Sequence, residues 1–402
     1  MQYTEKMENM IFEMWGDESD DLSEDVISFL NDESMFRSFG EGLAEVIKKK
    51  ISDESINPKE YLKKINKEQG NLLNRNTIEN WFTSNRPKKG EQSREHMYII
   101  SFLLRLNVEE TCYLFQKVYY DKAFNLRSVK EFIYFYCIKN ELSYEYAQSL
   151  LSKVDLDGGK QPEGTVYTKA IKSDVEMIKK DSELKRYIEN HPHNFQISSV
   201  SALEVKNKLL DELLPSEEDR LALKNHRINK KASYIAQEVF LSYSSTDLDR
   251  ENGLLDKNKS ITSISTMLDI ILGINMVKAQ EESNLSIFKS ANLPQEIMNR
   301  FPTKHTFSKE QPSFEELRKM IILLFSYKFW FQKQYGDIES DIDDYQTQLD
   351  SLLFESNLPT LYYGNPYDWM FLYCSMNERP LDLFRDIMAE AFLYGDVNES
   401  YK

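Results

Sequence analysis

Glycine and proline are scarce in this chain, 13 and 11 in 402 residues, and cysteine scarcer still at three. So little glycine and proline excludes collagen-like and low-complexity classes, and the fraction of apolar residues, 41%, is that of a folded protein. The cysteines, Cys112, Cys137 and Cys374, are odd in number, share no motif spacing and each lie inside an apolar run. They are expected as buried, reduced thiols rather than a disulfide framework, which points to a cytoplasmic protein. No basic start followed by an apolar core marks a secretory signal in the first thirty residues. The longest apolar run, "MIILLFSYKFWF", is broken by Lys328 and too short to cross a bilayer, so no membrane partner is expected. Also absent are a glycine-rich phosphate loop, a Gly-x-Ser-x-Gly elbow and a nucleotide-binding fingerprint. Nothing here compels an enzyme, and no cofactor is expected.

Charge is plentiful but unevenly placed. The chain carries a formal −16; residues 1–40 hold 11 acidic and 2 basic side chains, whereas residues 41–95 hold 9 acidic and 12 basic. A protein that embraced nucleic acid along its whole length would be basic throughout, because phosphate neutralisation supplies most non-specific affinity. Only one short region has that balance.

Alternating apolar runs bounded by turn residues are lacking, and helical spacing dominates. "SEDVISFLND" places Val26, Ile27, Phe29 and Leu30 together, and "SFGEGLAEVIKKK" does so with Phe39, Leu43, Val46 and Ile47 before three lysines. In "NPKEYLKKINKEQG", Asn57 is a candidate cap, Pro58 stands at the first helical position and Gly70 is a candidate stop. Further helices are expected over residues 77–82, 93–106, 108–120 and 128–140, and beyond them over 170–188, 199–214, 219–242, 261–278, 314–334 and 345–354. Two more follow in "NPYDWMFLYCSM" and "RPLDLFRDIMAEAFLYG". The clearest interruption is "VDLDGGKQPEGT", with adjacent glycines, a proline and no apolar periodicity. The expected organisation is an acidic extension (1–40), a helical bundle (41–153), a linker (154–165) and a larger all-helical domain (166–402).

The stretch "NRNTIENWFTSNRPKKGEQSREHMYIISFLLRL" opens at Asn74. Asn74 or Asn76 can cap a short helix in which Ile78 and Trp81, three residues apart, face inward. Asn76, Thr77, Glu79 and Asn80 then point outward, and with Asn74 and Arg75 they are candidate DNA-binding residues. Amides and a hydroxyl on an exposed helix suit major-groove reading, since Asn pairs bidentately with adenine and Thr contacts a thymine methyl or a phosphate. Arg86, Lys88, Lys89 and Arg94 follow as a basic loop able to clamp the DNA backbone without reading sequence.

Thr77-Ile78-x2-Trp81-x4-Arg86-Pro87, with the helix "EHMYIISFLLRL" and then "NVEET", resembles the recognition helix, loop and following helices of lambda-repressor-like, Xre-type helix-turn-helix regulators. The resemblance covers residues 41–106. It implies an all-α fold with an N-terminal helix-turn-helix bundle, residues 58–69 as positioning helix, and a dimer acting on palindromic double-stranded DNA. Ser84 stands where that pattern has glycine, the turn before Ile78 is about two residues long for it, and Glu79 would repel phosphate unless it accepts from a cytosine amine. The C-terminal stretches "FEELRKMIILLFSYKFWF" and "NPYDWMFLYC" resemble helical tails of uncharacterised Gram-positive regulators, and imply a sensing or dimerising domain with a protein or peptide partner. Ile321, Leu324, Phe325, Phe329 and Trp330 are the apolar surface expected to dimerise, the competing account being that they are simply the monomer's core.

Other readings stay open. The acidic N-terminus could mimic DNA or cover the basic face, which would make the bundle a docking surface in a protein-interaction or phage-defence component. Arg186/His191 and Arg220/His226 fit the loose arginine–histidine spacing of HEPN ribonucleases, which polarises a ribose hydroxyl. Such spacing equally describes a solvated helix face. His191 and His193 have no third ligand nearby in sequence, and the acidic run at 336–345 lacks the spacing of a calcium loop, so no metal is expected.

Overall fold

The computed structural model describes residues 3–16, 22–32, 35–51, 56–83, 87, 90–154, 168–195, 200–225, 227–242, 263–273, 293, 297, 301–336 and 341–393, and every regular element among them is helical. The chain divides into two compact units, one of residues 37–201 and one combining 1–36 with 202–402. Both differ from the expected domains. Helices α1 (Tyr3–Gly16) and α2 (Leu22–Asn31) are acidic, yet Met7, Ile11, Val26, Phe29 and Leu30 form an apolar stripe buried in the core of the C-terminal helices. Burying such a stripe releases far more free energy than leaving it in water, so these residues are part of a core and no free extension. Ser23 also donates to Glu390, 2.7 Å away.

The unit of residues 37–201 continues with α3 (Phe39–Ile51), α4 (Pro58–Glu68), α5 (Arg75–Trp81), α6 (Glu91–Leu103), α7 (Val108–Tyr113), α8 (Val129–Lys139) and α9 (Tyr144–Leu151). Side chains of Asn57, Asn74, Asn107, Ser128 and Ser143 cap the N-termini of α4, α5, α7, α8 and α9 by accepting from otherwise orphaned backbone N–H groups. The helix expected over 108–120 changes to π-helical winding at Leu114–Tyr119 and stops where Tyr120 turns left-handed. The single helix expected over 170–188 is two, α10 (Thr168–Met177) and α11 (Asp181–Asn190). Lys139 Nζ ends α10 by donating to the carbonyls of Val175, Glu176 and Ile178, where a cation complements the helix dipole. Ile171, Val175, Ile178, Leu184 and Ile188 complete the core of this unit, so the segment assigned from sequence to the second domain belongs to the first.

The other unit resumes with α12 (Val200–Leu213), α13 (Glu217–Lys224), α14 (Tyr234–Ser242), α15 (Ile264–Leu272), the single turn α16 (Lys304–Phe307), α17 (Phe314–Tyr335), α18 (Ile342–Glu355), α19 (Pro366–Met376) and α20 (Pro380–Leu393). The helix expected over 219–242 is divided into α13 and α14, and the one expected from residue 261 ends at Gly273 in the left-handed conformation. Helix α17 is buried on nearly all sides. Ile321, Leu324 and Trp330 are fully enclosed, Phe329 is buried and Phe325 packs half-buried against the same core. These side chains are therefore the interior of one chain, which corrects their assignment to a dimer interface. Arg318 on this helix is buried but answered: it donates to Asp368 at 2.8 and 2.7 Å and to the carbonyls of Pro359 and Thr360 at 2.8 Å each. Asp368 also accepts the Tyr362 N–H at 3.0 Å. Cys137 and Cys374 are buried free thiols, and burial pushes the Cys137 thiol up to about 12. No helix among the described residues is long and apolar enough to cross a membrane.

Candidate nucleic-acid interface

Helix α4 begins as its sequence dictates. Asn57 accepts from the N–H groups of Lys59 and Glu60 at 3.0 and 3.2 Å, and Pro58 occupies the first position. Its end is set by two consecutive left-handed residues, Gly70 at φ 84° and Asn71 at φ 58°. Glycine takes this conformation without strain, and asparagine is the side chain that tolerates it next best. The turn that follows is held by buried Asn66: its amide donates to the Leu73 carbonyl and accepts the Leu73 N–H, both at 2.9 Å. A turn longer than the pattern it resembles is thus kept rigid by a two-way clamp, which no local sequence signal announces.

Helix α5 is capped by Asn74, which accepts from the Asn76 N–H at 2.8 Å. Ile78 is fully buried and Trp81 is 4% exposed, as their spacing leads one to expect. The indole meets the Phe39 ring edge-on at 5.6 Å and the His96 imidazole at 5.7 Å. Burial lowers the pKa of His96 despite the opposing charge of Glu95, which favours the neutral form of the ring against Trp81. Gly40 explains how α3 approaches so closely: a Cβ there would stand 2.5 Å from the Trp81 carbonyl oxygen. The inner face of α5 is consequently fixed by packing. Its other face is left to solvent, with Asn74, Arg75, Asn76 and Asn80 exposed and Thr77 and Glu79 half-exposed.

Charge on this surface is arranged in a way the sequence does not disclose. Glu79 is paired with both Lys59, at 3.2 Å, and Lys63 of α4. The hydrogen bonds from Lys63 and Lys59 hold its carboxyl below the usual range. Lys63 is shared with Glu60 at 2.8 Å. Lys64 and Lys67, also on α4, and Arg75 are exposed and carry no ion pair among the described residues. The loop cations Arg86, Lys88 and Lys89 lie outside the described residues.

Arg94 does not belong to that loop. It sits in the first turn of α6, where Nε and Nη2 donate to Glu131 at 2.7 and 2.8 Å and Nη1 to Asp121 at 3.0 Å. Glu131 accepts in addition from Tyr98 and the Asn125 N–H, each at 2.6 Å. Burial raises the Glu131 pKa, and Arg94 with these donors more than reverses it, so the carboxylate stays ionised. With its donors turned to carboxylates and its side chain largely buried, Arg94 joins α6 to α8 and is removed from the set of phosphate clamps.

The arginine–histidine pairs are not assembled into a site among the described residues. His191 stacks on Tyr187 at 4.5 Å and its Nδ1 lies 3.0 Å from the Tyr187 carbonyl, while Arg186 is exposed. Arg220 pairs with Glu217 at 2.7 Å, and His226 lies outside the described residues. No group of three metal-ligating side chains occurs among the described residues. Comparison of the chain with protein-family models, with curated proteins and with solved structures gives no match.

Proposed function

We propose that this chain is a sequence-specific double-stranded DNA-binding regulator in which α5 reads the major groove. The observation that carries the reading is the division of α5 into two faces. One is held by Ile78, Trp81 and the Asn66 clamp, and the other presents Asn76, Thr77 and Asn80, whose side chains make no hydrogen bond among the described residues. Rigid presentation of amides is what bidentate recognition of adenine requires. Lys64, Lys67 and Arg75 are described cations available to phosphate, able to set register without specifying sequence, and Arg86, Lys88 and Lys89 are expected from the sequence alone to join them.

On this reading the acidic unit senses a protein or peptide partner, or joins two copies so that two readers meet successive major grooves. The exposed apolar side chains of that unit, Phe12, Leu221, Leu241 and Phe354, replace the α17 residues as candidates for a homodimer contact. The strong acidity of that unit favours a second reading, in which the chain is a protein-interaction or phage-defence component and the bundle a docking surface. Selection from a randomised duplex pool separates the two. A regulator enriches a two-fold sequence, and Asn76→Ala or Asn80→Ala weakens binding to it by about 1–3 kcal/mol with little effect on unrelated DNA. Failure to enrich any duplex, or full affinity in both variants, removes the DNA reading and leaves the docking one.

A further inference from the structure

We infer that Glu79 limits non-specific binding by withholding charge, holding Lys59 and Lys63 so that they do not bind phosphate indiscriminately. The inference rests on the DNA-binding reading of α5. Glu79 is half-exposed and reaches back from α5 to α4, placing each of its carboxylate oxygens on a different lysine. Lys63 has a second carboxylate in Glu60, at 2.8 Å. The two ammonium groups therefore stand beside the reading face with their charge already answered inside the protein.

Binding to DNA of any sequence is driven by cations that displace counterions condensed on phosphate, each contributing about 0.9 to the slope of log K against log salt. A lysine must leave its carboxylate to contribute, and the carboxylate left behind faces the phosphates unpaired. The exposed pair is weak in itself, because solvent screens it. It nevertheless costs each encounter both the pair and a repulsion, which a non-specific complex has no base contacts to offset. Where α5 makes its base contacts, the cost is met. A residue that looks unsuited to a DNA-facing helix thus lowers binding to unrelated DNA. Glu79 is close enough to Asn76 and Asn80 in α5 to act on the same stretch of DNA, since three or fewer positions separate it from each.

The test measures binding of the full chain to an unrelated duplex by fluorescence anisotropy across a salt series. Glu79→Gln keeps the size of the side chain and removes its charge. Its slope is expected to steepen by about one to two units, and its affinity at 0.1 M salt to rise about ten- to fifty-fold. Adding Lys59→Gln and Lys63→Gln to that variant should return the slope to the wild-type value. Those two lysine substitutions in the wild-type background should leave the slope within about half a unit, because the lysines are already neutralised. An unchanged slope in Glu79→Gln overturns the inference, as does a drop of about two units when the lysines alone are replaced. If the wild type enriches no sequence while Glu79→Gln binds any duplex, the withheld charge is real and the reader is not. If neither binds duplex, Lys59 and Lys63 are no phosphate ligands and both ideas fall.

Discussion

The unit of residues 37–201 carries 27 Lys and Arg against 23 Asp and Glu, net +4, whereas the unit of residues 1–36 and 202–402 carries 23 against 43, net −20. The overall −16 hides this opposition. Charge sorted by unit in this way is what the DNA-binding reading requires of an acidic chain. Each unit encloses an ion cluster, Arg318 with Asp368 in the acidic one and Arg94 with Glu131 and Asp121 in the other, and the second also holds Lys59 and Lys63 on Glu79 at its surface.

The largest effects should come from cores, and they should stay within their own unit. Asp368→Ala leaves the Arg318 guanidinium buried and unpaired, with an expected cost of about 3–5 kcal/mol. Amide hydrogen exchange in α17 and α19 should accelerate accordingly; equal acceleration throughout residues 37–201 would dissolve the distinction between units. Trp81→Ala is expected to cost a similar amount, about 3–5 kcal/mol by lost burial and a residual cavity, with exchange rising in α3 and α5 and binding to every duplex lost. Near-native stability in urea would mean that the indole does not anchor the helix.

Asn66→Ala removes both partners of the Leu73 backbone from a buried turn, for about 2–4 kcal/mol. Its mark is a loss of sequence preference that exceeds the loss of stability, since α5 remains but is no longer held in register. If selectivity survives intact, the clamp is structural and nothing more. Lys64→Gln combined with Lys67→Gln should be the mildest, shifting stability by less than about 0.5 kcal/mol and flattening the salt slope of DNA binding by up to about two units. An unaltered slope would take α4 out of the interface and place its positive surface elsewhere in the unit.

Much of the local structure could be read directly. Asn57 followed by Pro58 announces the start of α4, and Ile78 with Trp81 three positions later gives the buried side of α5, because caps and helical periodicity act between neighbours in sequence. Arg94 misled for the complementary reason. In sequence it closes a basic run, but its carboxylates, Asp121 and Glu131, are 27 and 37 residues away and meet it only once α6 and α8 have packed. Asn66 gave no signal, since its partner becomes adjacent only after Gly70 and Asn71 reverse the chain. The stripe of Ile321, Leu324 and Trp330 looked the same as an interface because an apolar face records only that it must be covered.

The amino-acid sequence by itself determined that this protein is helical, where most helices begin, and which of their faces avoid water, all consequences of hydrogen bonding and apolar spacing over a few residues. The tertiary structure alone decided which helices share a core, sending the acidic α1 and α2 to the C-terminal unit and α10 and α11 to the N-terminal one. It decided the fate of each charge as well, burying Arg94 and binding Lys59 and Lys63 to Glu79. Core membership and ion pairing depend on which distant residues meet, and hydrophobic burial, being non-directional, leaves that choice to the shape and charge of the whole chain.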